Sequence, residues 1–174
     1  RKLEQGYDFL ILCNPNNPTS SAISKKDLRD LIRFCAEKDI FVMIDETYVE
    51  FAPDISAITA VPLTQEFTNL MVLRGVSKFF AAPGMRLGYG NKKFLEKMRE
   101  KQTPWSLNSI GAFAGEIMLQ DEEYIQQTRQ LILSERDRMI DELKGISTYK
   151  VYPAYANFIL LKILKNGLTS YDVF

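Results

Sequence analysis

The sequence contains no histidine. That absence removes Ser-His-Asp and Cys-His nucleophile systems, His-ligated zinc and iron, and every mechanism in which imidazole carries the proton. Acid–base chemistry therefore falls to Lys, Tyr, Asp, Glu or Cys, or to a cofactor. Cysteine is scarce as well. Cys13 and Cys35 are too few for a disulfide scaffold, and both sit in apolar stretches that read as buried strand and helix, the pattern of reduced cytoplasmic thiols. Net charge is missing: 22 basic and 22 acidic residues balance, so no electrostatic pull toward nucleic acid or an anionic membrane is expected. The longest apolar stretches fall far short of the roughly 20 residues that span a bilayer. Neither an initiator Met nor an apolar signal core precedes Arg1-Lys2-Leu3-Glu4, and the expectation is a piece of a longer protein.

What is present suits a soluble globular chain. Of 174 residues, 46% are hydrophobic and 25% charged, which is one domain's length with enough apolar surface for a core. Phe9-Leu10-Ile11-Leu12-Cys13 is a continuous apolar run, the signature of a strand buried on both faces. Ser24 followed three residues later by Asp27 opens a helix with Leu28, Leu31, Ile32 and Cys35 as its apolar stripe. Ile40-Phe41-Val42-Met43-Ile44 is a second strand that runs into Asp45, completing a βαβ unit. Leu70-Met71-Val72-Leu73 reads as a third strand and Arg86-Leu87-Gly88-Tyr89-Gly90 as a short β-like stretch, with Asn91 capping the next helix. Residues 106–143 read as two helices meeting near Asp121. Residues 149–153 and 157–163 read as antiparallel strands, and Thr169-Ser170 starts a last helix. The fold class is α/β. Residues 1–105 are expected to belong to a parallel-sheet domain, 106–143 to bridging helices and 144–174 to the start of a smaller α+β domain.

Three polar clusters each follow the carboxyl end of an apolar strand, where open α/β sheets bind ligands. The first is Asn14-Pro15-Asn16-Asn17-Pro18-Thr19-Ser20, which taken alone is also a plain Pro/Asn turn. The second is Asp45-Glu46-Thr47-Tyr48. A carboxylate at a strand end needs a cationic or hydrogen-bonding partner, so Asp45 alone could equally be a helix cap or half of an internal salt bridge, and Glu46 reads as structural. The third is Ser77-Lys78, with Arg86 eight residues beyond the lysine. A lysine ahead of Phe79-Phe80-Ala81-Ala82 is expected to be poorly solvated, with a lowered pKa and a nucleophilic amine, unless it snorkels to the surface.

In order and spacing, Asn17-Pro18-Thr19, Asp45-x-x-Tyr48 and Ser77-Lys78 with Arg86 resemble the pyridoxal-phosphate-dependent aminotransferases of class I and II, and the fuller strings resemble their histidinol-phosphate aminotransferase and threonine-phosphate decarboxylase branch. Pro104-Trp105-Ser106-Leu107-Asn108 resembles that branch too. The resemblance implies a three-layer αβα fold around a mainly parallel sheet, pyridoxal 5'-phosphate as cofactor, and a cytoplasmic homodimer acting in amino-acid biosynthesis. It implies that Lys78 forms the Schiff base and shuttles the proton, that Asp45 pairs with the pyridinium nitrogen, and that Asn17 and Tyr48 bond the ring oxygen. Ser77 and Arg86 would bind the phosphate, Arg86 through charge-assisted hydrogen bonds.

The implied reaction is transamination between an amino acid or amino phosphate such as histidinol phosphate and a 2-oxo acid. Decarboxylation of a threonine phosphate and a non-catalytic, ligand-sensing aminotransferase-like domain are the alternatives. Three departures stand out. Ser20 occupies a position where the family usually has Gly, Gly75 stands where a hydroxyl residue is common, and the connection at Tyr89-Gly90-Asn91 is short. The family's glycine-rich phosphate loop and stacking aromatic ring are expected before Arg1 and its carboxylate-binding arginine after Phe174, so the 174 residues alone are expected to be inactive.

Overall fold

The computed structural model of the chain describes residues 2–173 and sets the three apolar runs side by side as parallel strands. β1 (Phe9–Cys13), β2 (Phe41–Asp45) and β3 (Leu70–Gly75) lie in that order, and β4 (Gly88–Gly90) closes the sheet antiparallel to β3. The crossover from β1 to β2 is α1 (Lys25–Ala36). Ser24 caps it as the sequence predicts: its Oγ accepts from the Asp27 N–H at 3.1 Å and donates to Asp27 Oδ2 at 2.6 Å. Leu28, Ile32 and Cys35 turn from α1 onto Ile40, Val42, Ile44, Leu63, Leu70 and Val72, and this is the main core.

Side chains alternate across a strand, and β2 shows it plainly. Val42 and Ile44 enter the core under α1, whereas Phe41, Met43 and Asp45 take the other face and are half-buried. β1 alternates between exposed and half-buried, so it is not the doubly buried strand that its composition predicts. Phe9 and Ile11 lie on the strand face opposite Leu10 and Leu12, the pair that packs against the core, and are exposed. For the same reason Cys13 is exposed, while Cys35 is buried as expected.

β4 comes so close to β3 that a Cβ on Gly90 would stand 2.7 Å from the Val72 carbonyl oxygen, so only glycine fits there. One residue joins β4 to α2 (Lys92–Arg99). Asn91 occupies the cap position, but its side chain caps nothing. β4 ends opposite Leu73, and Asn91 Oδ1 instead carries the ladder on by accepting from the Val72 N–H at 3.1 Å.

α3 (Ser109–Gln120) and α4 (Glu122–Lys144) meet at Asp121, whose carboxylate accepts from the Tyr124 N–H at 3.0 Å. β5 (Tyr149–Val151) and β6 (Leu161–Ile163) pair antiparallel, and α5 (Ser170–Val173) follows. Both strands are shorter than the sequence suggests because the chain between them leaves the ladder, and the N–H groups of Tyr155 and Ala156 bond to Ser20. The two outermost residues of the expected domains, Arg1 and Phe174, lie outside the described residues. No helix among the described residues is long and apolar enough to cross a membrane.

The carboxyl ends of β2 and β3 are tied by a buried ion pair. Glu46 is 1% exposed, and its Oε2 accepts from Arg74 Nε at 3.0 Å and Nη2 at 2.8 Å. Its Oε1 accepts from the Ala60 N–H at 2.6 Å, the Thr59 hydroxyl bridges to it, and Arg74 Nη1 reaches Glu50 at 2.9 Å. Burial alone would push the Arg74 guanidinium down, but the charges of Glu46 and Glu50 outweigh it and hold it above its usual value. Removing one partner strands the other charge, so Glu46→Ala is expected to cost about 3–5 kcal/mol in urea unfolding. The double variant Glu46→Ala with Arg74→Met should recover part of that loss.

Candidate active site

The parallel register sets Cys13 opposite Asp45 and Asp45 opposite Leu73, so the three polar clusters leave the sheet along one edge. They line one cleft of about 680 Å³, formed by Cys13, Asn17, Asp45, Thr47, Tyr48, Ser77, Lys78, Pro83 and Arg86. All six residues singled out from the sequence are in this lining. A pocket of about 270 Å³ shares Asp45, Thr47, Ser77 and Arg86 with the cleft and adds Arg74 and Gly75. A larger cavity, about 790 Å³, lies between β4 and α2, is mostly apolar and holds none of the six. Size and chemistry therefore point to different places, and the convergent polar groups mark the cleft as the site.

Asp45 ends β2 on the strand face opposite the core. Its Oδ1 accepts from the Thr47 N–H at 2.8 Å and from the Thr47 hydroxyl, an Asx turn that fixes the carboxylate. The partner that the sequence demands is thus Thr47, and the carboxylate with a buried cation is Glu46, one residue on. Strand alternation sends Glu46 to the core side. The sequence reading did not single out Thr47, although a hydroxyl residue two positions after Asp is the signal of such a turn.

The Asn17 amide donates to the Tyr48 hydroxyl at 3.2 Å, joining the first cluster to the second. Tyr48 also sets its ring edge-on to Phe158, with centroids 5.3 Å apart. The Asn17 loop is held by Asn14, a residue that the sequence alone does not separate from a generic turn. Asn14 is fully buried, its N–H donates to the Asp45 carbonyl at 2.9 Å, and its side chain binds Ile23 and Ile58. An Asn directly after a buried strand is the available signal, because a buried amide must find partners.

Lys78 is exposed on the cleft wall, which corrects the expectation that its aromatic neighbours would desolvate it. Phe79 and Phe80 turn away from the amine, Phe79 onto Phe51 and both onto Tyr124 of α4, whose hydroxyl donates to the Phe79 carbonyl at 3.2 Å. The aromatic pair anchors the lysine's backbone and leaves its amine open. Arg86 has a left-handed backbone, φ 48°, and its Nη1 donates to the Pro83 carbonyl at 3.1 Å. Ser77 is half-buried beside it.

A family model described as aminotransferase class I and II matches residues 1–170. A histidinol-phosphate aminotransferase from Archaeoglobus fulgidus is 34% identical over 95% of this chain and 46% of its own length. A threonine-phosphate decarboxylase from Salmonella typhimurium is 35% identical over 92% of this chain and 44% of its own length. In the crystal structure of the histidinol-phosphate aminotransferase from Clostridium acetobutylicum the same fold recurs with a TM-score of 0.86 and 34% identity, over 95% of this chain and 50% of that one. The chain thus spans less than half the length of the curated relatives it matches.

Cys13 shares the cleft with these groups. Partial desolvation, and behind it the Asp45 carboxylate, push its thiol above the usual range, so it is a poor nucleophile near neutral pH. Asp45→Asn removes the charge and lowers the thiol's pKa. The variant is expected to be alkylated at Cys13 by iodoacetamide faster than wild type at pH 7, read by peptide mass spectrometry, while buried Cys35 stays slow in both.

Proposed function

Because the chain belongs to the class I and II aminotransferase family, we propose that it forms the cofactor-binding region of a pyridoxal-phosphate-dependent aminotransferase. The proposed reaction moves an amino group between an amino acid or amino phosphate such as histidinol phosphate and a 2-oxo acid. The observation that carries the reading is the single cleft gathering Asn17, Asp45, Tyr48, Ser77, Lys78 and Arg86.

The donor set fits the cofactor. The lining offers one amine, one carboxylate free of a salt bridge, a paired amide and phenol, and a serine with a guanidinium. Pyridoxal phosphate, when bound, supplies an electron sink for charge developing at a substrate carbon. Lys78 would hold the cofactor's aldehyde carbon and, once released, hold and move a proton at Nζ. Asp45, oriented by Thr47, would keep a pyridinium nitrogen protonated by facing it with a carboxylate. Asn17 and Tyr48, already 3.2 Å apart, would both donate to the ring oxygen. Ser77 and Arg86 would bind phosphate, for which the guanidinium's planar fork is suited.

In the same reading residues 1–105 belong to the large domain, 106–143 bridge, and 144–174 begin the small domain of a cytoplasmic homodimer in amino-acid biosynthesis. Its partners would be small molecules. The Salmonella decarboxylase, 35% identical against 34% for the Archaeoglobus aminotransferase, makes decarboxylation of a phosphorylated amino acid the second reading.

Borohydride reduction of the full-length protein with pyridoxal phosphate, followed by peptide mapping, is expected to place the label on Lys78. Label elsewhere, or none, overturns the proposal. Lys78→Ala should lower turnover by at least about 10²-fold, the contribution typical of a positioned acid–base group. A keto product from histidinol phosphate supports transamination, and CO₂ released from threonine phosphate supports the second reading.

A further inference from the structure

We propose that Ser20 is a positioning residue of this cleft, its buried hydroxyl latching the 154–158 segment onto the Asn17 loop and so seating Phe158 against Tyr48. The geometry of the latch stands on its own, and its consequence for the cofactor rests on the reading above.

Ser20 is fully buried and has φ 57°, the left-handed region that non-glycine residues seldom occupy. A glycine would adopt that backbone with less strain, so what serine adds here is its side chain. Its Oγ accepts from the Ala156 N–H at 2.9 Å and the Tyr155 N–H at 3.1 Å, two amides that lie 136 and 135 residues away in sequence. The Ser20 carbonyl also accepts from Tyr155 N–H at 2.8 Å, and the Ser20 N–H donates to the Asn16 carbonyl at 2.8 Å, next to Asn17. One residue thus grips the cofactor loop on one side and the later segment on the other.

That segment leads to Tyr48 by two routes. Phe158, two residues past Ala156, meets the Tyr48 ring edge-on. The Ala156 carbonyl accepts from Arg136 Nη1 at 3.2 Å, and the same nitrogen donates at 2.7 Å to the carbonyl of Phe51, three residues past Tyr48. Arg136 is 5% exposed, so this bridge is sealed from water. Ser20 is absent from the cleft lining. It acts on Asn17 and Tyr48 through the backbone it holds, and these are the two donors that converge on each other at 3.2 Å.

The test compares the full-length wild type with Ser20→Ala and Ser20→Gly by two measurements. The first is amide hydrogen exchange of Tyr155 and Ala156 without added cofactor. The second is the pH midpoint of the bound cofactor's absorbance, which senses donors on the ring oxygen. Both variants are expected to speed exchange at Ala156 by about tenfold while the α1 amides keep their rates, since this buried donor loses its acceptor, and Tyr155, which keeps the Ser20 carbonyl, should change less. Both should raise the absorbance midpoint by about half a unit or more, since misaligned donors favour the ionised oxygen less. A wild-type exchange rate at Ala156 in Ser20→Gly overturns the latch, because the backbone rather than the hydroxyl then carries the contact. Faster exchange with an unmoved midpoint overturns the positioning role. A wild type that takes up no pyridoxal phosphate overturns the cofactor reading and the positioning role with it, while the exchange comparison still decides the latch.

Discussion

The Glu46–Arg74 pair is the constraint around which the site edge is built. Strands held only by a backbone ladder can fray at their carboxyl ends, and that edge is where the chemistry-bearing loops depart. Here the Glu46 carboxylate, fully sequestered, accepts from Arg74, Thr59 and the Ala60 N–H, and Arg74 reaches on to Glu50. Both carboxylate oxygens and three guanidinium nitrogens have partners. A buried pair of this kind is weak evidence for stability, because desolvation offsets much of its attraction. Its consequence is positional. It fixes the residue after Asp45 and the residue three before Ser77, and thereby the departure points of the second and third clusters.

Alternation then divides the work between two adjacent acids. Residue 46 follows residue 45 by one position, and one position changes the face. Glu46 goes to the core side and becomes structural, whereas Asp45 faces the cleft and, among the described residues, makes no salt bridge and is steadied by Thr47. Composition alone cannot make this division, since both are acids at the end of the same apolar strand. Asp45 ends the apolar run and is the acid expected to need a cation, but Arg74, at the end of the neighbouring strand, selects Glu46.

What was legible depended on local chemistry. The Ser24 cap, the helix junction at Asp121, the parallel βαβ unit and the antiparallel β5–β6 pair all follow from spacing within a few residues. The family resemblance carried by three motifs nominates the six cleft residues, and the parallel register explains why they converge. What was not legible depended on partners distant in sequence. Asn91 bonds to Val72 because β4 is short, Cys13 is exposed because it lies on the β1 face turned from the core, and Lys78 is open because Tyr124 draws the following aromatics toward α4. α4 shows the same principle on a larger scale. Arg129 binds the carbonyls of Glu50 and Ala52, and Arg136 binds that of Phe51, so this helix holds the turn after Tyr48 from far along the chain. Burial, with the like charge of Arg129 behind it, keeps Arg136 below the usual guanidinium value, because the carbonyls it binds do not offset burial as the carboxylates do at Arg74.

The described residues that line the cleft include no imidazole, so the chemistry they offer is what the other side chains can do. The lining offers a thiol, an amide, a carboxylate, hydroxyls, a phenol, an amine and a guanidinium. The guanidinium stays protonated, and the amide neither gives nor takes a proton usefully. The thiol is pushed up by desolvation and by Asp45, so the carboxylate that would serve a pyridinium also keeps Cys13 quiet. The phenol and hydroxyls donate hydrogen bonds but form no reversible double bond to a carbonyl carbon. Only the amine both bonds such a carbon and carries a proton, and Lys78 is the one lysine in the lining. In the proposed role the amine would have to meet a carbonyl from solution, and its exposure leaves it reachable. Water exclusion at such a site then falls to the molecule that fills the cleft rather than to the aromatics beside the lysine.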